Sequence, residues 1–246
     1  MEEHLSGTQF QFELAKALLT FVPRHMKECL KNTDLNYKDY GTENEVKIKQ
    51  ILKLYSNINN VLRDIDLTFN FLEKERTDIL KNYPFLDSQE TYFKYHYENY
   101  FIRIITILDL LGKLGTIIYN LDLKLEKVSA YTFKDKAKKE GYEKISEIAE
   151  KITEKLSELK TERHKKLHTG EADIKGFNGV VIWEDINAII GIETDEILKE
   201  NTDEQIKEEI ALLRKSTLEL IELIKDFLEE SNNELKEIIT TANTVY

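Results

Sequence analysis

Cysteine and long apolar runs are scarce in this chain of 246 residues. Cys29 is the only cysteine, so no disulfide can form within the chain and a reducing compartment is expected. The longest apolar stretch, 101–111, is interrupted by Arg103 and Asp109 and is too short to cross a bilayer. The N-terminus shows no basic segment followed by an apolar run and a cleavage site. We therefore expect a cytoplasmic protein without a membrane segment.

Proline and glycine are also rare, with two prolines and nine glycines in the whole chain. Few positions therefore break a helix, and the composition favours α-helix. The sequence contains no phosphate-binding loop, no dinucleotide-binding glycine pattern and no nucleophile elbow. No histidine has a glutamate three residues before it, so the di-iron pattern of ferritin-like bundles is excluded.

Basic residues are fewer than acidic residues, so the formal net charge is −11. A broad surface that coats nucleic acid needs clustered lysine and arginine, and we do not expect one here. The net charge is compatible with one local basic patch. It is equally compatible with binding to another protein.

Apolar residues recur at three- and four-residue spacing and predict five long helical segments. The predicted segments are 9–31, 42–82, 88–125, 142–168 and 203–241. Pro23 is expected to kink or split the first segment. Thr42 and Glu45 form a capping-box pattern at the start of the second segment, and Ser88 is the expected cap of the third. Gly170 is expected to end the fourth.

The residues between these segments are predicted to be connections. The range 133–141 is a charged connection, and 170–191 is rich in glycine, with 180–183 as a short strand or a tucked loop. Long helices with short connections predict an all-α, up-and-down bundle of antiparallel helices. We expect residues 1–87 to form an N-terminal helical extension that packs on a bundle formed by residues 88–246.

The fourth segment carries an arginine where its apolar pattern should continue. At about 100° per residue, Ile145, Ile152 and Leu156 share one stripe, and Arg163 returns to that stripe. A guanidinium on a buried stripe must reach solvent, pair with an acid, or face a cleft or a partner subunit. Glu98, Arg103 and Asp109 are the polar residues of the preceding segment from which a partner for Arg163 could come. We prefer Asp109, because it interrupts an apolar stretch.

Cationic and imidazole side chains cluster around this arginine. Four cations and one acid lie between residues 160 and 168, a local excess of three positive charges in a chain of net charge −11. The cations are Lys160, Arg163, Lys165 and Lys166, the acid is Glu162, and His164 and His168 are two of the five histidines. This contrast indicates a surface that faces phosphate.

The pattern in this cluster resembles a known motif. Arg163, a polar residue directly after it, three further residues, and His168 at a helix end are similar to the R-x4-6-H motif of the HEPN superfamily. Members of this superfamily are small helical domains, and many are metal-independent ribonucleases. The aromatic range 98–103, continuing to 110–111, is similar to the core helix before the motif in a stand-alone bacterial branch. The resemblance covers residues 88–226.

The resemblance implies an endoribonuclease whose catalytic residues are Arg163 and His168. In active members an RNA 2′-hydroxyl attacks the adjacent phosphodiester and leaves a cyclic phosphate. His168 would transfer a proton, and Arg163 would stabilise the charge that develops on the phosphate. His164 would be a supporting contact, at a position where asparagine is common in the family, and Lys165 and Lys166 would contact the RNA backbone.

The resemblance also implies the partners and the setting of this chain. RNA would be the substrate, no cofactor or metal would be required, and two copies would form a homodimer in which the motifs meet. A toxin or defence role would follow, with an antitoxin or another protein as a possible partner. The cyclic-phosphate product follows from the same implied chemistry.

Two alternatives stay open at the level of the sequence. The first is a non-catalytic helical module of the same fold that dimerises or binds a protein, which the acidic surface fits equally well. The second is a metal site, because His164 and His168 have the four-residue spacing of helix-borne zinc ligands. A third ligand would then come from Glu171 or Asp173, and the glutamate of the H-E-x-x-H pattern is absent.

Overall fold

Seven α-helices are present in a computed structural model that describes residues 4–32, 34–75, 86–168 and 196–243. They are α1 (Gln9–Lys31), α2 (Glu43–Asn70), α3 (Leu86–Ile118), α4 (Ala130–Lys139), α5 (Glu143–His168), α6 (Glu196–Glu230) and α7 (Asn232–Asn243). A π-helical turn, Phe71–Glu75, follows α2, and a 3₁₀ turn, Leu125–Lys127, precedes α4. These ranges contain no strand, which confirms the predicted all-α fold. None of the helices described is long and apolar enough to cross a membrane.

The helices contribute to two compact units. Unit 1 consists of residues 1–62, 106–154 and 221–246, and unit 2 consists of residues 63–105 and 155–220. The units are groups of residues with dense mutual contacts, and the predicted division into an N-terminal extension and a bundle stays a prediction. The segment predicted as a strand or tucked loop, within 170–191, lies outside the described residues.

In unit 1, α1 and α2 pack antiparallel. Phe10 near the start of α1 contacts Tyr55, with ring centroids 6.0 Å apart, and His25 near the end of α1 lies against Glu45 at the start of α2. The capping box at the start of α2 is confirmed: the Thr42 backbone N–H donates to the Glu45 carboxylate at 2.7 Å, and the Glu45 N–H donates to the Thr42 hydroxyl at 3.3 Å. Residues within a single turn therefore determine where α2 begins.

α4 corrects a prediction, since the range 133–141 is not a charged connection. This short helix buries residues at helical spacing among its charged side chains: Ala130, Phe133 and Ala137. The start of α4 lies against Gly112 of α3, where a Cβ would come within 2.3 Å of the Ser129 carbonyl carbon. Only glycine allows this close approach. The pattern is hard to recognise because three apolar positions stand among lysines and an aspartate.

Several helix ends also differ from the predictions. α3 begins at Leu86 and ends at Ile118, not near residue 125, because Asn120 adopts a left-handed conformation with φ of 49°. The Leu121 N–H then donates to the Thr116 carbonyl at 3.0 Å, a typical C-terminal cap. α1 passes through Pro23 as one helix, so Pro23 does not split the segment, and the alternative prediction of a kink stays a prediction.

The remaining differences concern α2 and the C-terminal segment. The α-helical part of α2 ends at Asn70 and is followed by the π-helical turn, and the rest of the predicted segment, to residue 82, lies outside the described residues. The segment predicted as one helix over 203–241 is two helices, α6 and α7, which meet at Ser231. The Ser231 hydroxyl donates to the Phe227 carbonyl at 2.8 Å. A serine that bonds the backbone in this way favours a helix boundary.

In unit 2, the end of α2 and the π-helical turn pack antiparallel to the first half of α3. Phe69 contacts Tyr100, with ring centroids 5.5 Å apart, and Phe71 stacks on His96 at 5.0 Å. The Tyr92 hydroxyl donates to the Phe71 carbonyl at 3.2 Å. These aromatic contacts fix the register between the two helices.

Gly41, between α1 and α2, generates a stability prediction. Its φ is +118°, and a Cβ would lie 2.4 Å from Cε1 of His25 and 2.8 Å from the Glu45 carboxylate. We expect Gly41→Ala to lower the free energy of unfolding by about 2–4 kcal/mol, through backbone strain and a clash with two buried side chains. Urea unfolding measures the loss.

The matched control is Gly141→Ala. Gly141 has φ of +88°, but a Cβ added there would meet nothing within 4 Å, so only the backbone strain applies. We expect a loss of about 1–2 kcal/mol in this control. Equal losses in the two variants would contradict the role assigned to the contacts of Gly41.

Candidate functional site

α5 carries the candidate motif, and its first part is anchored by a buried stripe. The buried apolar residues of α5 are Ile145, Ala149, Ile152, Leu156 and Leu159. The helix continues to His168, the end predicted from the sequence. Position 163 comes four residues after Leu159, which is about one turn, so its backbone continues the register of the stripe.

Beyond Leu159 the structure describes only the backbone of the motif. The side chains of Arg163, His164, Lys165, Lys166 and His168 lie outside the described residues, so their predicted roles stay predictions. What the structure adds is that all of these positions belong to one α-helix. Arg163 and His168 are five residues apart, so these positions leave the helix axis in directions about 140° apart.

Ion pairs and hydrogen bonds hold α5 against its neighbours in each unit. In unit 2, the Lys155 ammonium lies 2.5 Å from the Glu219 carboxylate of α6. In unit 1, the Lys134 ammonium of α4 lies 3.2 Å from Glu150, and the Tyr131 hydroxyl donates to the Thr153 carbonyl at 3.4 Å. These contacts restrict α5 from sliding along its axis. They therefore fix where the helix presents its last turns.

The aromatic half of α3 forms core and not a surface for stacking bases. Phe93, Tyr97, Tyr100 and Phe101 are buried. The Tyr100 hydroxyl lies 3.0 Å from the Thr217 hydroxyl of α6. These residues therefore join α3 to α6 inside unit 2, as aromatic residues at helical spacing usually do.

Tyr97 makes the second hydroxyl contact between these helices, and the two contacts set the direction of α6. The Tyr97 hydroxyl donates to the Glu209 carboxylate at 3.3 Å, and the Tyr100 hydroxyl follows with Thr217 further along α6. The contacts advance in the same direction along both helices. α3 and α6 are therefore parallel in unit 2.

The polar residues of α3 that the sequence singles out have different surroundings. Arg103 donates to the Asn99 carbonyl at 3.1 Å, and its Nε lies 3.6 Å from the Asp64 carboxylate. Glu98 and Asp109 are exposed. Asp109 belongs to the part of α3 in unit 1, and its predicted pairing with Arg163 stays a prediction because the guanidinium lies outside the described residues.

His96 lies half-buried in an aromatic cluster that the sequence did not predict. Its ring contacts Phe71, Tyr92 and Tyr95, with centroid distances of 5.0, 4.5 and 5.2 Å. Burial, and then the Arg103 guanidinium, lowers the pKa of His96 below its usual value. The imidazole is therefore uncharged at neutral pH, as in a packed helix residue.

The sequence also did not predict a charged contact of the π-helical turn. Arg214 of α6 forms a two-point ion pair with Glu73, with N–O distances of 2.8 and 2.7 Å, and its guanidinium lies 4.6 Å from the centre of the Phe69 ring. No local pattern joins residues that are so far apart along the chain. The pair ties the π-helical turn to α6 within unit 2.

A protein-family model matches residues 86–240 of the chain, and its description is a Cthe2314-like HEPN family. The match covers more than half of the chain. This chain belongs to the HEPN superfamily. No curated protein and no solved structure gives a significant match.

The HEPN segment begins with α3 and ends within α7. It therefore contains α5 and the whole R-x4-H pattern from Arg163 to His168, while α1 and α2 lie outside it. Membership confirms the resemblance drawn from the motif and the aromatic helix. It identifies the superfamily of the segment and leaves the chemistry of the motif to experiment.

A buried cluster of ionisable side chains lies outside the HEPN segment, where α1 meets α2. His25 and Glu45 are almost fully buried, with His25 Nε2 3.4 Å from the Glu45 carboxylate, and Arg24 also pairs with Glu45. The Lys49 ammonium donates to the Tyr37 carbonyl at 2.5 Å. The Glu45 carboxylate is thus held between a buried imidazole and the partly exposed Arg24, where α1 meets α2. It offers no access to a substrate.

The side chains that the structure describes supply no candidate ligands for the alternative of a metal site. There, no three histidine, cysteine, aspartate or glutamate side chains come close enough together to hold a metal ion. The zinc hypothesis depends on His164 and His168, with Glu171 or Asp173. All of these side chains lie outside the described residues, so that hypothesis stays untested.

The buried His25 predicts how stability depends on pH. Burial lowers the pKa of His25, Glu45 opposes the shift, and Lys49 and Arg24 add to it. Because the folded state holds the imidazole neutral, its contribution is fully present above the unfolded pKa of about 6.5 and is lost as the pH falls through the lowered folded pKa. We expect the free energy of unfolding to fall less between pH 7.5 and 5.5 in His25→Gln than in the wild type.

The comparison needs a variant that is destabilised without the loss of a titratable group. Ile152→Val on α5 serves, with an expected cost of about 1 kcal/mol from a lost buried methyl group. This variant should keep the wild-type pH dependence. A His25→Gln protein with the same pH dependence as Ile152→Val would contradict the assignment.

Proposed function

We propose that this HEPN protein is a metal-independent endoribonuclease with Arg163 and His168 as its catalytic residues. The observation that carries the proposal is the position of the motif. The R-x4-H pattern occupies the last turns of α5, inside the segment that matches the HEPN family, on a helix whose buried stripe leads to Arg163. The side chains of Arg163 and His168 lie outside the described residues, so the contacts that they make belong to the proposal.

The charge around the motif supports binding of phosphate. The C-terminal end of a helix carries roughly half a negative charge, which by itself repels phosphate. The sequence places four cations and one acid between residues 160 and 168, an excess of three positive charges at that end. The excess more than offsets the helix end, so the local field favours an anion.

The chemistry follows from the residue types. The RNA 2′-oxygen forms a bond to the adjacent phosphorus as the bond to the 5′-oxygen breaks, which gives a 2′,3′-cyclic phosphate and a 5′-hydroxyl. An imidazole accepts the 2′ proton or donates a proton to the leaving 5′-oxygen near neutral pH. A guanidinium contacts two phosphate oxygens at once and stabilises the additional charge of the transition state.

The helix geometry supports a site formed by two copies. Positions 163 and 168 leave α5 in directions about 140° apart, so one helix presents its arginine and its histidine on different sides. Two motifs that meet in a homodimer would supply two imidazoles, one as the base and one as the acid. His164 would support this arrangement, and a defence or toxin role is the setting that the resemblance implies.

Cleavage of a labelled mixed-sequence RNA in excess EDTA tests the proposal. We expect the wild type to produce cyclic-phosphate ends, and Arg163→Ala and His168→Ala to lower the rate by at least about 100-fold, the usual effect of losing an acid–base or charge-stabilising group. Lys151→Ala, an exposed change on the same helix, should leave the rate unchanged.

All variants are compared at equal folded fraction and equal oligomeric state. Loss of activity in the wild type on addition of EDTA would favour the metal alternative. Absence of cleavage by the intact wild-type protein would favour the non-catalytic module. Full activity of either alanine variant would show that the catalytic assignment is wrong.

Lys165 and Lys166 give a separate prediction about RNA binding. If these lysines contact phosphates, each contact releases counterions from RNA, so affinity depends steeply on salt. We expect the Lys165→Ala/Lys166→Ala variant to lower the slope of log affinity against log salt by about one to two, from about 0.7 per phosphate contact in single strands. Fluorescence anisotropy with labelled RNA measures the slope.

The matched control changes two lysines elsewhere on α5, Lys144→Ala/Lys151→Ala. It alters the net charge by the same amount and should keep the wild-type slope. Equal slopes for all three proteins would remove Lys165 and Lys166 from the proposed RNA surface.

A further inference from the structure

α1 carries a second apolar face that is exposed in the part of the chain that the structure describes. Its buried face consists of Phe10, Leu14, Ala17 and Phe21. A different side of the helix exposes four large apolar residues, Phe12, Leu19, Met26 and Leu30, whose side chains are 63%, 78%, 53% and 80% exposed. At about 100° per residue these four lie within an arc of about 40°. We call them the α1 row.

The spacing of the α1 row is that of a helix–helix contact. Its members follow one another after seven, seven and four residues, and apolar residues seven and four apart form the seam along which two helices pack. Ala15 is also exposed beside the row. From Phe12 to Leu30 the row is about 27 Å long, at about 1.5 Å per residue. Single exposed apolar residues are common, but a continuous row indicates a binding surface.

The row is too narrow to suit a membrane surface. Helices that lie in a bilayer interface use a wide apolar face and are attracted to anionic lipids. Here the large exposed apolar residues span only about 40°, the helix is already packed on another side, and the chain has a net charge of −11, which anionic lipids repel. A single helix fits the row better than a lipid surface does.

The two borders of the row differ in charge. Lys16 and Lys27 are exposed on one border, about 40–60° from the row. The opposite border has no charged residue: Gln11, Leu18 and Cys29 are half-buried there. One border is therefore basic, and the other is neutral.

We propose that the α1 row binds an amphipathic helix of another protein, with aspartate or glutamate on the side that faces Lys16 and Lys27. The apolar residues of the partner would pack along Phe12, Leu19, Met26 and Leu30. Its acidic residues would lie opposite these two exposed lysines. The surface lies outside the HEPN segment of residues 86–240, so the proposal does not depend on ribonuclease activity.

A second copy of this chain fits the row less well. When two identical helices pack antiparallel, the same border of each copy meets its counterpart, so the lysines would face lysines. When they pack parallel, the basic border of one copy faces the half-buried neutral border of the other and gains no opposite charge. The charge pattern therefore favours an acidic partner.

The test uses two synthetic 21-residue peptides with leucine at heptad a and d positions. One peptide has glutamate at all e and g positions, and the other has lysine there. Fluorescence anisotropy with the full chain should show at least about tenfold tighter binding of the acidic peptide. Lys16→Glu/Lys27→Glu should reverse the preference, because opposite charges at these borders decide the choice of partner.

Leu19→Gln/Met26→Gln should weaken binding of the acidic peptide by at least about tenfold. Leu212→Gln on α6, a leucine that is 62% exposed, is the matched control and should change it less than about twofold. If Lys16→Glu/Lys27→Glu gains binding to the basic peptide, the change in preference comes from the altered surface and not from misfolding.

Four outcomes would overturn the proposal. The first is that the wild type binds neither peptide, and the second is that Leu19→Gln/Met26→Gln binds the acidic peptide as tightly as the wild type does. The third is self-association of the wild type, measured by sedimentation, that this variant abolishes. The fourth is binding of the wild type to phosphatidylserine vesicles that this variant abolishes. The third outcome would identify a second copy as the occupant of the row, and the fourth would identify a membrane.

Discussion

The buried hydroxyls of Tyr97 and Tyr100 impose the constraint on which unit 2 depends. A hydroxyl loses its hydrogen bonds to water on burial, and the loss is costly unless a partner replaces them. Glu209 and Thr217 of α6 are those partners, so α3 and α6 can pack in only one register. α6 in turn pairs with α5 through Glu219 and Lys155. The tyrosines thus help to position α5 within unit 2.

This dependence explains why a site can be assigned to a helix end at all. Catalysis by a guanidinium and an imidazole requires fixed positions, and side chains on a loosely held helix would not supply them. The buried stripe of α5 and the ion pair with α6 restrict sliding and rotation of the helix. The predicted catalytic residues follow this anchored part within the same helix.

The sequence predicts those parts of the fold that depend on local interactions. Thr42 and Glu45 satisfy each other within one turn, so the start of α2 can be read directly. α4 could not be read in this way, because Ala130, Phe133 and Ala137 stand among charged residues and the start of the helix packs closely against Gly112 of another helix. The end of α3 depends on the left-handed conformation of Asn120, which lysine- and leucine-rich surroundings do not reveal.

The same distinction applies to the candidate site. The R-x4-H pattern and the buried stripe are local, so the sequence was enough to place Arg163 and His168 on one helix. The contacts that surround His96 and join Arg214 to Glu73 link distant parts of the chain. No periodicity predicts such contacts, since they arise only when α2, α3 and α6 have packed.

The π-helical turn at Phe71–Glu75 has a consequence for the lengths that this chain tolerates. A π-helical turn holds more residues than an α-helical turn, and it usually marks the place where a helix accommodates one extra residue. In an α-helix each added residue rotates all later side chains by about 100°. Phe69 lies just before the turn and Glu73 lies within it, and both contact Arg214 of α6. An insertion or deletion of one residue between Phe69 and Glu73 would therefore turn one of these two side chains away from Arg214.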